Sequence, residues 1–454
     1  MRRRRQFVTG GAVLLLLLIY FAFFSGGSPA PPSARTTTTT HHAVTTAARF
    51  PRHSPLNPAW TGNGHTVTLG FGGDVHFAGV VGTNLAKNPA TALGTTVPQL
   101  FTGTQLSMVN LETAVTNGTC PEPQTKQYIF DAPASAVTAL KSATVSVATE
   151  ANDHGLDCGA QGLSQNLTIA SQAHYPIIGI GSTAAQAFTP YRVTIGGQRV
   201  AIIAATQVIA DNLIGTWTAT ATQPGIASAI DPTELVREVQ QVRRTADTVI
   251  VYVHWGTETQ ACPNPQQEPL AAQLVKAGAD IVIGSDAHVL LGAGYLGAAY
   301  VDYGLGNLAF YDDTAPETDS GTLVITAQGR HITGAVWRPA TILNGLPQPL
   351  TGAPATAAVQ SWNAARSCTN LSPTPAKSLT TMQGETVAFV APPAAPTTTT
   401  TTAGSSTGGT TTTSTTTRSS TGGSTTTTAP KSGGTTTTTV PPSTTTSATD
   451  NAGG

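Results

Sequence analysis

The chain is poor in charge: 10% of its 454 residues are Asp, Glu, Lys or Arg, and the formal net charge is −1. No basic surface for a nucleic-acid backbone is therefore indicated, and no nucleic-acid partner is expected. Cysteine is equally scarce. The four residues Cys120, Cys158, Cys262 and Cys368 show no CxxC spacing, which argues against a zinc ribbon or a dithiol redox motif. In an exported chain they would pair as disulfides, and three connectivities remain open. Cys158 and Cys262 each lie a few residues from a candidate site residue, so a bridge there would brace the rim of the site. Aromatic residues make up 6%, and Trp60, Trp217, Trp255, Trp337 and Trp362 share no spacing, which reads as packing rather than a carbohydrate platform.

The ends of the chain lack what a compact core needs. Met1 to Arg5 carry consecutive arginines, and the residues from Phe7 to Phe24 are almost all apolar, the pattern of an export signal. No clear small-x-small cleavage site follows at once. Residues 1–25 are therefore expected to be a signal anchor, with a cleavable signal peptide as the alternative; a spanning helix needs roughly 17–25 residues. As an anchor it would hold the cytoplasmic membrane and leave everything after Ser25 outside. Residues 26–58 and 392–454 are dominated by Thr, Ser, Gly and Pro and have too few large apolar side chains to offset chain entropy, so both are expected to be disordered. The tail reads either as a wall-spanning stalk or as an unmodified tether. Residues 373–391 are a connecting segment of uncertain class.

What remains, residues 59–372, has no Pro/Ser-rich break and is expected to form one domain. Apolar β-rich runs at Thr66–Phe71, Thr144–Ala148, Pro176–Ile180, Arg199–Ala204, Thr248–Val253 and Asp280–Ile283 alternate with segments of helical periodicity such as DPTELVREVQQVRRTA and QEPLAAQLVKAG. Asp231-Pro232 reads as an N-cap followed by Pro at the first helical position, and Gly278 as a helix stop. The run TLVITAQGRHITGAVW reads as a hairpin with a Gly turn. An α/β domain with layered sheets follows. Arg243 and Arg244 read as a solvated helix face, and the triplets at Asn117, Asn166 and Asn370 match the N-glycosylation pattern.

Five segments end or begin such runs with metal-binding or proton-moving residues: GGDVH, VNLE, ATEANDHGLD, VHWGTE and GADIVIGSDAH. Chemistry placed where strands end is the arrangement of a site at the carboxyl edge of a sheet. Asp74, His76, Glu112, Asp153, His254, Asp286 and His288 supply oxygen and imidazole ligands without thiolate, a donor set suited to Zn, Mn, Fe or Mg. A shared carboxylate can bridge two such ions about 3.5–4 Å apart. His154 is the candidate acid for a leaving group. Asn110, Asn152, Glu258 and Asn307 are candidate lining residues, although Asn152 and Asp157 are also common turn formers and Glu258 could be a plain loop carboxylate.

The order GGDVH, NLE, ANDHGLDCG, HWGTE, GADIVIGSDAHVL and YGLGN resembles the CapA family of poly-γ-glutamate capsule proteins, a branch of the calcineurin-like metallophosphatase superfamily, over Thr66 to Phe310. The resemblance implies a four-layer α-β-β-α sandwich of metallophosphatase type. It implies one metal on Asp74, His76 and His288, a second on Asp153, His254 and Asp286, and Glu112 as the bridge; His154 falls at the superfamily's acid, while Gly306 and Asn307 would shape the floor. This chain departs from the pattern in having Asp153 for an Asn, Asp286 for a His and Glu112 for an Asp. The first two changes add negative charge, which favours a harder metal such as Mn or Mg, or else marks a member whose second site is lost. His76 is a superfamily ligand that many CapA-like sequences lack. Three roles follow as alternatives: synthesis, export or anchoring of poly-γ-glutamate or a related surface polymer, alongside synthetase components and the cell wall; phosphoester hydrolysis by metal-activated water; or a silent wall-associated scaffold.

Overall fold

The computed structural model describes residues 54–312 and 314–376. The chain divides into two units, Met1–Thr386 and Val387–Gly454, and the described residues all belong to the first. The expected signal anchor of residues 1–25, most of the two low-complexity segments and most of the connecting segment lie outside the described residues. Among the described residues no helix is long and apolar enough to cross a membrane.

Two sheets face each other. The first runs in the order Leu346–Pro349, His331–Leu343, Asp319–Gln328, Val67–Val75, Leu106–Leu111, Val147–Thr149 and Ile177–Ile178, with Asn307–Ala309 also paired to Val67–Val75. The second runs Ala293–Leu296, Ala299–Asp302, Ile281–Asp286, Thr248–Trp255, Gln198–Thr206 and Tyr191–Ile195. Four neighbouring strands in each sheet are parallel to one another. Their near-continuous apolar runs are explained by burial on both faces.

Side-chain alternation splits each strand between two cores. From Thr248–Trp255, Ile250 and Tyr252 enter the layer between the sheets, while Val249, Val251 and Val253 enter an outer layer under the helices Thr233–Arg243 and Gln267–Ala277. In the first sheet, Leu106 and Met108 face inward, and Val109 and Leu111 pack outward with Val81, Leu140 and other residues of the helices Gly79–Lys87 and Ser135–Ser142. The expected four-layer α-β-β-α sandwich is thus realised. Each fully buried Ile, Leu or Phe contributes about 1.5–3 kcal/mol.

The hairpin Asp319–Gln328 with His331–Leu343 turns at Gly329, whose φ is 59°, and Gly278 ends the helix Gln267–Ala277 at φ 121°. Pro232, not Asp231, is the N-cap of the helix Thr233–Arg243; Asp231 stands one residue earlier and its carboxylate accepts from the Thr233 amide at 3.0 Å. Arg243 is not solvated. It is 3% exposed and its guanidinium pairs with Asp280 and bonds to the Asp247 carbonyl at 2.9 Å, because the last turn of its helix tucks beneath the second sheet. Asn166 is buried against Glu150, so that triplet is no accessible acceptor, whereas Asn117 is exposed. Cys120 pairs with Cys158 and Cys262 with Cys368, which places Cys158 and Cys262 in separate bridges.

Candidate metal centre

The chemistry-bearing residues leave the carboxyl ends of parallel strands. Asp74 closes Val67–Val75, Asn110 and Glu112 end Leu106–Leu111, Asp153 and His154 follow Val147–Thr149, His254 ends Thr248–Trp255, and Asp286 and His288 end or follow Ile281–Asp286. The strand Val67–Val75 shifts register between Phe71 and Asp74, at the two glycines. Gly73 must be glycine: a Cβ there would lie 1.8 Å from the Gly306 carbonyl oxygen, the group that accepts from the amide of the next residue, Asp74, at 3.0 Å. The GGDVH and YGLGN segments are therefore packed backbone to backbone. Two interactions tie the sheets together here, with Tyr252 Oη donating to the Gly72 carbonyl at 2.9 Å and the Asp286 amide to Asp74 Oδ2 at 3.3 Å. Asp286 at φ 105° and His288 at φ 57° sit in the strained left-handed region, which persists only where surroundings over-determine it.

Ligand atoms converge in three overlapping groups, each with its atoms within 4.8 Å of one another: Asp74, Glu112 and His254; Glu112, Asp153 and His154; Asp153, His254 and Asp286. His254 Nε2 lies 3.0 Å from Asp286 Oδ1 and 3.3 Å from Asp153 Oδ1. His288 stands just beside, with Nδ1 3.6 Å from Asp74 Oδ2 and Nε2 3.7 Å from Glu112 Oε1. Asn307 Oδ1 is 2.8 Å from His288 Nδ1, and since the Asn307 amide nitrogen donates to Asp312 and the Glu317 carbonyl, Nδ1 carries a proton and Nε2 is the ring atom turned to Glu112. His76 belongs to none of the three groups. Its ring is stacked on Phe310 at 3.9 Å and edge-on to Phe130, and both its nitrogens are buried without a hydrogen-bond partner.

Electrostatics follow from this crowding. Burial, then Asp74, Asp153 and Asp286, push the Glu112 carboxyl well above its usual range against the pull of His254. Burial opposes charge on His254, but Asp286, Asp153 and Glu112 outweigh it and hold the ring well above its ordinary value. Burial likewise opposes charge on His288, and Asp74, Asp286 and Asn307 prevail. At His76 burial, reinforced by His154 and His288, lowers the pKa to about 3, so the ring is neutral with a free lone pair. An anionic pocket that raises its own protons' affinity, lined by oxygen and imidazole donors and flanked by an orphaned neutral imidazole, fits divalent cations.

Asn110 and Asn152 order the floor. Asn110 Nδ2 donates to Asp74 Oδ1 at 2.8 Å, and Asn152 Nδ2 donates to Asn110 Oδ1 at 2.9 Å and to the Leu111 carbonyl at 2.8 Å. Asn152 Oδ1 then accepts from the His154 amide at 3.0 Å, so the amide chain reaches the candidate acid. Glu258 is exposed on the loop after Trp255, outside the three groups. Two partners of His154 escaped the sequence reading. Asp157, read there as a turn former, is buried and its Oδ2 lies 2.5 Å from His154 Nδ1; Lys126 Nζ lies 3.3 Å from the same Nδ1 and 3.1 Å from Asp157 Oδ1. The three-residue spacing from His154 was a signal for Asp157. Nothing in the sequence singled out Lys126.

A layered sandwich whose strand ends gather carboxylates and imidazoles around one pocket defines a domain suited to holding divalent cations. The family model of the bacterial capsule synthesis protein PGA_cap matches residues 68–312, more than half of the 454 residues, and the chain belongs to that family. The capsule biosynthesis protein CapA of Bacillus anthracis is 32% identical over 50% of this chain and 55% of its own length. The PGA biosynthesis protein CapA of Bacillus subtilis is 26% identical over 54% of this chain and 63% of its own. The chain thus spans less than two thirds of either relative. Among solved structures, a novel phosphatase from Mycoplasma pneumoniae aligns at a TM-score of 0.38 and 14% identity, over 61% of this chain and 94% of that one.

Proposed function

We propose that this domain works outside the cytoplasm in making, exporting or anchoring poly-γ-glutamate or a related surface polymer, through a divalent-metal centre at its strand ends. Family membership supports the reading, as do the capsule and PGA biosynthesis roles named for the two Bacillus relatives. Two paired disulfides fit an oxidising compartment. The arginines and apolar run of residues 1–25 support attachment to the cytoplasmic membrane, with synthetase components and the wall as further partners. The observation that carries the proposal is the convergence of Asp74, Glu112, Asp153, His254 and Asp286 from separate strands into overlapping ligand groups.

A second reading, phosphoester hydrolysis, is favoured by His154. Asp157 accepts from Nδ1, so the acid is the ring protonated on both nitrogens: Nε2, 3.4 Å from Asp153 Oδ2, hands its proton to a leaving oxygen while Nδ1 keeps its own on Asp157. Phe130 stacks on the ring at 4.1 Å and keeps water from its flank. A bound divalent cation, whether Mn, Zn, Fe or Mg, would supply Lewis acidity and a lowered pKa for water.

Elemental analysis of the purified chain is expected to show stoichiometric divalent metal, lost in His254→Ala. In the host, His254→Ala should cut γ-linked glutamate at the cell surface; an unchanged amount in cells without the protein would remove the polymer reading. Mn-loaded protein should release alcohol from model phosphate esters, with His154→Ala lowering the rate about 10²–10⁴-fold. A wild-type chain inert on mono- and diesters would remove the hydrolytic reading.

A further inference from the structure

The segment from Cys120 to Phe130 has no regular secondary structure, yet it is tied down along its length. Cys120 is bridged to Cys158, Glu122 accepts from the Gln161 backbone at 3.0 Å and side chain at 2.6 Å, and the Gln124 amide donates to the Asp157 carbonyl at 2.9 Å. At its far end the Phe130 amide donates to Asp157 Oδ2 at 2.6 Å. Every one of these anchors lies in or just after the loop that carries Asp153, His154 and Asp157.

Lys126 sits in the middle of this strap with its side chain 13% exposed. Its ammonium bonds the Asp153 carbonyl, lies 3.4 Å from Asp153 Oδ2 and 3.1 Å from Asp157 Oδ1, and stands 5.3 Å from the centre of the Trp217 ring. A nearly buried ammonium is costly unless paired, and here both carboxylates pair with it. The pairing divides the work of their oxygens. Asp153 turns Oδ2 to Lys126 and His154, which leaves Oδ1, 3.3 Å from His254 Nε2, to face the ligand cluster. Asp157 gives Oδ1 to Lys126 and Oδ2 to His154 Nδ1.

We infer that Lys126 is a positioning residue that makes Asp153 a one-oxygen ligand for a divalent cation and, through Asp157, aims His154 Nε2 at the same place. This rests on the metal-centre reading above. Lys126 touches neither cation nor reacting atoms; it fixes Asp153, which faces the cation, and Asp157, which orients His154, the kind of outer partner whose loss weakens metal affinity.

Mn²⁺ titrated calorimetrically into the full chain tests it, with circular dichroism confirming the fold of each variant. Lys126→Met should bind Mn²⁺ about 10–100-fold more weakly than wild type. Lys126→Cys should bind as weakly, and alkylation with 2-bromoethylamine, which restores an ammonium on a side chain of near-lysine length, should recover the affinity. Should Lys126→Met fail to fold, the two forms of Lys126→Cys decide, since they share one polypeptide and differ by the charged group; a packing role alone gives them equal affinity and overturns the inference. Wild-type affinity in Lys126→Met also overturns it while sparing the metal centre. A wild-type chain that takes up no Mn²⁺ overturns both.

Discussion

Asp302, outside the three ligand groups, shows how a single buried carboxyl can tax a fold. It ends the strand Ala299–Asp302, where Oδ1 accepts from the Gly304 amide at 2.9 Å and Oδ2 has no hydrogen-bond partner. Burial pushes its pKa from 3.8 to about 8, with the amide bond pulling weakly the other way. The native state therefore keeps a proton that the unfolded chain releases near 3.8. Its contribution to stability is full below that pH and is lost as pH rises towards 8, at no more than about 1.4 kcal/mol per pH unit. Asp302→Asn removes the titration. In urea denaturation the variant should gain on wild type by on the order of 2–3 kcal/mol between pH 5 and pH 7; a constant difference across that range would show that Asp302 is ionised in the native protein.

At the scale of elements, backbone contact between GGDVH and YGLGN sets the geometry of the site. Gly73→Ala must push the strand from the Gly306 carbonyl, 1.8 Å from the added carbon, and should cost about 1–3 kcal/mol or more while displacing Asp74 and weakening Mn²⁺ uptake. Gly215→Ala, in the short helix Ile214–Trp217 with nothing within 4 Å of the added carbon, should be neutral or stabilise by up to about 1 kcal/mol. Thermal melts with calorimetry on the two variants check the contrast.

The same scale explains what the sequence could say. Strands such as Thr248–Trp255 were legible because apolar β-branched runs end in polar residues, and the Gly329 turn and Gly278 stop because glycine marks positive φ. Candidate ligands were legible as strand ends, since a parallel sheet brings those ends to one edge. Lys126 was not, because its segment has no periodicity and is placed by a disulfide and by partners up to 91 residues away at Trp217. Arg243 was misread because its helix pattern shows a charged position, while the acid that draws it inward, Asp280, lies on the far side of a strand and a helix. The burial of Asn166 was hidden because its triplet matches by residue type alone, which does not show that the helix Gly159–Gln172 turns it onto Glu150.

At the scale of the whole molecule, the two disulfides should separate stability from site geometry. In the chain-entropy view a bridge stabilises by restricting the unfolded state, more for longer loops. The Cys262–Cys368 bridge closes a separation of 106 residues, worth about 4.8 kcal/mol, and Cys120–Cys158 closes 38, worth about 3.9 kcal/mol. The first holds the turn after the helix Gly352–Ala364 against the loop after Trp255, and the Asn370 amide reaches Glu268, in the first turn of the helix Gln267–Ala277 that follows that loop, at 2.9 Å. The second anchors the strap that carries Lys126 to the loop that carries Asp153 and His154. Replacing Cys262 and Cys368 together by Ala should therefore give the larger fall in melting temperature with Mn²⁺ affinity kept, while replacing Cys120 and Cys158 should give the smaller fall with Mn²⁺ affinity reduced. Equal loss of affinity in both variants would mean that the site depends on global stability rather than on the strap, since the two bridges differ in what they hold far more than in what their loops are worth.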